Sequence, residues 1–162
     1  MHRLLACLAT LLMAIPALAA KNVAAEKAIW SKVEQFQAAW NKHDVKGMVA
    51  TVTDDVTVIN PMGRVANGKS EFETLLTEEH ATFMKESRFS VMDPKFQWVR
   101  PDLALLDYEC DLTNMKKPDG TMGTLKHHIY VVATKKGKEW LAVAMRPYVF
   151  LAPPAAGSPT AQ

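Results

Sequence analysis

Between Ala24 and Trp40 the apolar side chains Ile29, Val33, Phe36 and Trp40 recur at steps of three and four, which predicts an amphipathic helix with one buried stripe. The tetrapeptide NKHD breaks that pattern, and Asp44 is placed to cap a short second helix in which Val45, Met48, Val49 and Val52 share a side. In DDVTVIN the period changes to two, with Val56, Val58 and Asn60 on one face and Thr57 and Ile59 on the other, before PMGR turns the chain. Helical spacing returns in NGKSEFETLLTEEHATFMKES. Ser70 is its candidate cap, and Phe72, Leu75, Leu76, Phe83 and Met84 form the inward stripe, with His80 beside them. Four extended runs follow, RFSVMDPKFQWVR, LALLDYECDLTNM, GTLKHHIYVVATK and KEWLAVAMRPYVFL, separated by the turn signals RPD, KKPDG and KKGK. Three helices, most of them early, followed by strands at hairpin spacing specify an α+β domain with the helices on one face of a curved antiparallel sheet. Such a sheet, closed on one side by helices, makes a cone with room for a pocket.

The chain of 162 residues, 49% hydrophobic, suits one domain with a real core. Its first twenty residues show a basic start at His2 and Arg3, an apolar run from Leu4 to Ile15, a Pro16 break and the small-residue signal Ala17-Leu18-Ala19. Residues 1–20 are therefore expected to be a secretory signal peptide, 21–151 the folded domain, and the Pro- and Ala-rich 152–162 a flexible tail. The apolar run is short for a membrane span of about 20 residues, so no stable anchor is expected after cleavage and the product is periplasmic or secreted. Cleavage discards Cys7 and leaves Cys110 as the only thiol, so the core must hold the fold without an internal disulfide. It also removes Arg3, taking 19 basic side chains to 18 against 17 acidic ones. That near-neutral balance argues against nucleic acid and against an anionic membrane surface.

Alternation sorts the strand residues into faces. Asp107, Glu109 and Asp111 share one face of LLDYECDL, which turns Tyr108 inward with Leu106, Cys110 and Leu112. Strict alternation through WLAVAMRPYVF groups Trp140, Ala142, Ala144 and Arg146 against Leu141, Val143 and Met145. Both faces are apolar apart from Arg146, so the strand is covered twice, by helices and by a partner subunit or the tail; a homodimer is expected. A buried Arg146 needs an anionic ligand or an acidic side chain. His127 and His128 must split between the faces, and the pattern does not say which is inside. An inward histidine, or His80, could serve as general base, against the plainer reading of a satisfied core side chain. No HxH, HExxH or CxxC spacing and no GxGxxG loop is present, so neither metal nor cofactor is expected.

The runs FQAAWNKHDVKGMVATVTDDVTVINPMGRVANGKSEFETLLTEEHATF and GKEWLAVAMRPY resemble the nuclear transport factor two-like superfamily, and within it the SgcJ/EcaC and SnoaL-like group related to ketosteroid isomerase. The resemblance spans about residues 24 to 150 and implies the cystatin-like cone; it is weak for activity, because this fold hosts isomerases, cyclases, dehydratases and pure binders. Where the isomerase relatives carry a carboxylate base and a tyrosine donor, this chain has Asn60 and Phe36, which can neither take nor donate a catalytic proton in that way. By the same resemblance His128 falls where relatives carry an inward arginine, and Arg146 where they carry an inward histidine. The expectation is an exported protein binding a small apolar ligand in a cone lined by Trp40, Asn60, His80, Tyr108, His128 and Arg146. Its catalytic form is a cofactor-free isomerase- or cyclase-type enzyme acting on an apolar carbonyl compound, with His128 or His80 as base; the alternative is a non-catalytic dimeric interaction module.

Overall fold

Helical and strand periods give way to one another along the chain much as the pattern predicts. The computed structural model describes residues 14–150, with side chains from Asn22 onward; the tail 152–162 and residues 1–13 of the expected leader lie outside that range. Helix α1 spans Ala14–Trp40, α2 spans Val45–Val49 and α3 spans Lys69–Ala81. The strands are β1 Val52–Ile59, β2 Val65–Asn67, β3 Arg88–Arg100, β4 Leu103–Lys116, β5 Met122–Lys136 and β6 Glu139–Tyr148. α1 thus starts ten residues earlier than its apolar stripe, with Pro16 in its first turn, where a missing N–H costs no intrahelical bond. α3 follows β1 and β2, so the helices do not all precede the sheet.

The end of α1 is fixed by its backbone. Asp44 N–H donates to the Ala39 carbonyl at 2.9 Å and His43 N–H to that of Trp40 at 2.8 Å, with His43 in the left-handed region at φ 54°. This paired closure uses two of the carbonyls that a helix end leaves free. Asp44 then accepts from Gly47 N–H at 2.9 Å and caps α2, as its position predicts.

The six strands form one sheet in the order β2-β1-β6-β5-β4-β3. All neighbours are antiparallel except β1 and β6, whose parallel pairing corrects the expectation of a purely antiparallel sheet. The cause is topological: the chain enters β1 before the β3–β6 meander and returns along its far edge. The inner face carries Ala104, Leu106, Tyr108, Cys110 and Leu112 of β4 and His127, Ile129, Val131 and Ala133 of β5, all buried. These pack under α1, α2 and α3 with Ile29, Phe36, Met48 and Phe72. Burying each of the Leu, Ile, Val, Phe and Met side chains among them stabilises the fold by about 1.5–3 kcal/mol. The buried Cys110 is a free thiol, and burial pushes it well above its ordinary pKa.

Register in β6 decides which side chains enter the cone. Val132 pairs with Ala144 and Ala133 with Ala142, so Val143 is an extra residue, a β-bulge, and alternation reverses across it. Met145 and Pro147 consequently share the inner face with Trp140 and Ala142, and Arg146 turns outward, opposite the outward Tyr130.

Candidate functional site in the cone

A cavity of about 210 Å³ lies between α3, the end of α1 and the inner face of β4–β6. Its walls are mainly apolar, including Phe36, Trp40, Leu75, Leu76, Phe89 and Ile129, and three polar side chains join them: Asn60, Glu79 and His127. A wider depression of about 440 Å³ at the other end, between the start of α1 and Trp98 and Trp140, adjoins residues whose side chains lie outside the description. Its Arg100 is occupied by Asp102 at 2.7 Å.

Asn60 is 8% exposed, and both its amide oxygen and its amide nitrogen are engaged. Its Oδ1 accepts from the backbone N–H of Met62 at 3.1 Å and of Arg64 at 2.8 Å, which closes the turn after β1, and its Nδ2 donates to Glu79 Oε1 at 2.8 Å. The turn role and the pocket role are therefore served by one side chain. Glu79 is 6% exposed. Burial lifts its carboxyl above the ordinary range, against the pull of the Asn60 hydrogen bond and the Arg64 charge. Arg64 itself pairs with the exposed Glu78 at 2.6 Å, and among the described residues Glu79 forms no salt bridge.

His127 is the histidine that β5 turns inward. Its Nδ1 donates to the Leu125 carbonyl at 3.3 Å, which leaves Nε2 as the acceptor of a neutral ring, and burial lowers its pKa. A neutral imidazole acceptor and a carboxyl group of raised pKa thus share one apolar cavity. That arrangement can accept or return a proton. Among the described residues no three His, Cys, Asp or Glu side chains gather as metal ligands.

The residues expected in the cone divide three ways. Trp40 and Asn60 line the cavity. Tyr108 points inward as alternation predicts, but it sits in the core against Trp30, ring centroids 5.7 Å apart, where burial raises its hydroxyl pKa well above the ordinary value. His80 is buried behind the wall, its ring 4.5 Å from that of Trp40. Arg88 Nη1 lies 3.1 Å from His43 Nε2, and His43 Nδ1 lies 2.8 Å from His80 Nδ1. Arginine can only donate, so His43 carries its proton on Nδ1 and His80 on Nε2, a buried N–H with no partner among the described residues.

His128 and Arg146 are corrections: both face away from the cavity. His128 has the outward parity of β5, and its Nδ1 meets Asp107 at 3.2 Å beside Tyr148, whose hydroxyl donates to the same carboxylate at 2.6 Å. The bulge turns Arg146 out, where Nη1 donates to the Thr57 and Met145 carbonyls at 2.6 and 2.8 Å and Nη2 to Thr57 Oγ1 at 2.9 Å. Among the described residues it pairs with no acidic side chain; its partners are two carbonyls and the Thr57 hydroxyl at the seam between β1 and β6.

Glu79 is the residue that the sequence reading misses, although its signal is present: it stands three residues after Leu76 and seven after Phe72, on the same helical stripe. A carboxylate reads as solvent-facing by default.

The comparisons agree with this architecture. A structure of a proposed scytalone dehydratase from Novosphingobium aromaticivorans superposes with a TM-score of 0.74 at 14% identity, covering 82% of this chain and 89% of that one. A protein with a cystatin-like fold from Caulobacter vibrioides gives 0.71 at 17% identity, with 81% and 92% covered. A ketosteroid isomerase-like protein from Erwinia carotovora atroseptica gives 0.63 at 19%, with 75% and 92% covered. At such identities these neighbours establish the fold alone. A search of the curated proteins finds no match. The SnoaL-like domain model matches residues 33–143, a stretch that contains the cavity's polar side chains and all of its strands but the last residues of β6, and the chain belongs to the SnoaL-like domain family.

Proposed function

We propose that this protein is an exported binder of one compact, largely apolar molecule, held in the cone cavity, with cofactor-free isomerase- or cyclase-type chemistry as its catalytic form. The observation that carries the reading is the cavity itself, apolar walls with Asn60, Glu79 and His127 among them. Ligand pockets typically measure about 300–1,000 Å³, and a cavity of about 150 Å³ holds benzene. At about 210 Å³ this one suits a one- or two-ring compound and is too small to enclose a four-ring steroid. The dehydratase and isomerase-like names of two structural neighbours favour testing proton transfer before group transfer.

The test is binding of 4-nitrophenol to the leader-free protein, followed by its absorbance shift and by quenching of the cavity tryptophan, in the native protein and in Ile129→Trp, which fills the cavity. Saturable binding lost in Ile129→Trp supports the reading. Binding that ignores the filled cavity, or no binding by this or related one-ring probes, removes it.

A second reading, a non-catalytic dimeric interaction module, has its own observation. The outer sheet face presents half-exposed Leu105, Val132, Leu141 and Ala144, with Phe150 exposed beside His128 and Tyr148. A second copy of the chain is the partner proposed for that face, and it is compatible with a ligand in the cone.

A further inference from the structure

We propose that Glu79 is the proton-transfer group of the cone, acting as general base on a compact apolar molecule with an acidic C–H bond. This rests on the cavity reading above and adds the residue, the step and the substrate class.

Three observations lead there. Glu79 lies on the wall of an apolar cavity with Leu75 and Leu76 of its own helix, which places the side chain beside the space a bound molecule would fill. Its orientation is fixed, because Asn60 holds Oε1 and is itself held by two backbone N–H groups of the turn. It is also an uneconomical structural choice. A glutamine would accept the same Asn60 hydrogen bond without burying a charge, whereas the carboxyl has no ion pair among the described residues. Buried carboxyls kept where a neutral isostere would serve the fold are candidates for acid–base work.

The step balances within substrate and side chain. A carboxylate oxygen of Glu79 takes the proton from carbon, the C–H electron pair passes into the adjacent electron-accepting group, and the carboxylic acid returns the proton elsewhere on the substrate or to a departing oxygen. Raised by burial, the carboxyl is a stronger base than one in water, and the apolar walls strip the solvation that would blunt it. His127 stays neutral and supplies an acceptor, so it does not compete as a charged acid.

The probe for this step is 5-nitrobenzisoxazole, a two-ring compound. Removing its C3 proton forms the nitrile from the C–H electron pair, breaks the N–O bond and releases a coloured phenolate. The native protein is expected to accelerate this elimination, with a rate that rises with pH through a midpoint above 4.5 matching the ¹³C titration of the Glu79 carboxyl. Glu79→Gln is expected to lower the rate by about 10²-fold or more while unfolding cooperatively at pH 7 with a midpoint no lower than that of the native protein, which shows that the fold is intact. Glu79→Asp, with its carboxyl withdrawn by one methylene, is expected to fall between them. A rate retained in Glu79→Gln, or a pH profile unrelated to the Glu79 titration, overturns the proposal. So does a native protein that binds both probes without turning over 5-nitrobenzisoxazole, in which case the cavity reading stands alone. If neither probe binds, both readings fall.

Discussion

Two adjacent side chains on α3, Glu79 and His80, are both buried and titrate in opposite senses, so pH separates them. Glu79 has its folded pKa raised from 4.5. The folded state therefore holds that proton more tightly than the unfolded chain, and the stability this gives is present below about pH 4.5 and is lost as pH rises through the folded value. Glu79→Gln is accordingly expected to be more stable than the native protein at pH 7, with the difference closing as pH falls through the folded pKa toward 4.5, measured by denaturant unfolding across pH. His80 has its folded pKa lowered from 6.5 to about 4, chiefly by burial and then by the His43 charge. Here the unfolded chain binds the proton more readily, so stability is lost as pH falls from about 6.5 to about 4. The shift corresponds to about 3 kcal/mol. His80→Gln is expected to flatten this part of the profile, and an unchanged slope between those pH values would show that the His43–His80 contact does not control it. The expected gain in stability at Glu79 and the expected loss of turnover at the same position are two consequences of one buried charge.

At the scale of elements, β6 decides the composition of the site through the bulge at Val143. The clamp made by Arg146 across the parallel β1–β6 seam is the new feature it exposes. Arg146→Ala removes three hydrogen bonds from a charged donor and is expected to cost about 2 kcal/mol, read as a fall in the midpoint of chemical unfolding. Arg146→Lys cannot span both Thr57 acceptors and is expected to recover only part of that loss. An anionic ligand at Arg146 would instead show as salt-sensitive binding. The same element shows where sequence stops being informative. β4 announces its faces because Asp107, Glu109 and Asp111 alternate with apolar residues, and Tyr108 is turned inward as read. β6 is apolar on both faces, so one inserted residue leaves no mark in the pattern while reversing Arg146. The histidine pair is equally silent, since either parity puts one imidazole inside. The helices were legible from period, and α2 also from its Asp44 cap; the Ser70 cap expected for α3 is a correction, since Gly68 stands at that cap without a side-chain hydrogen bond and Ser70 lies inside the first turn. Glu79 was hidden by its charge. Fold follows from patterns summed over many residues; the site depended on one bulge and one buried acid.

For the molecule as a whole, the open question is what meets the outer face of the sheet. That face is not a solvent face in composition: Leu105 pairs across to Val132, and Val132 to Ala144, forming an apolar band over three strands. Charged and polar groups border it, with Asp111 and Lys126 3.9 Å apart toward one end and Asp107 engaged by His128 and Tyr148 nearer the middle. Such a band with a polar border is the form expected of a protein interface. A second copy related by a two-fold axis would place one apolar band on the other, and the aromatic group of His128, Tyr148 and Phe150 would close its edge. Val132→Lys puts a charge at the centre of that band without touching the cavity, because Val132 has the outward parity opposite Val131 and Ala133. The expected outcome is a native protein that sediments as a dimer and a Val132→Lys variant that sediments as a monomer, while 4-nitrophenol binding stays within threefold. A native monomer would leave the face to another occupant. A dimer that survives Val132→Lys would place the interface elsewhere on the molecule. Binding lost together with the dimer would mean that the cone is completed only by its partner, which would tie the two proposals for this protein into one.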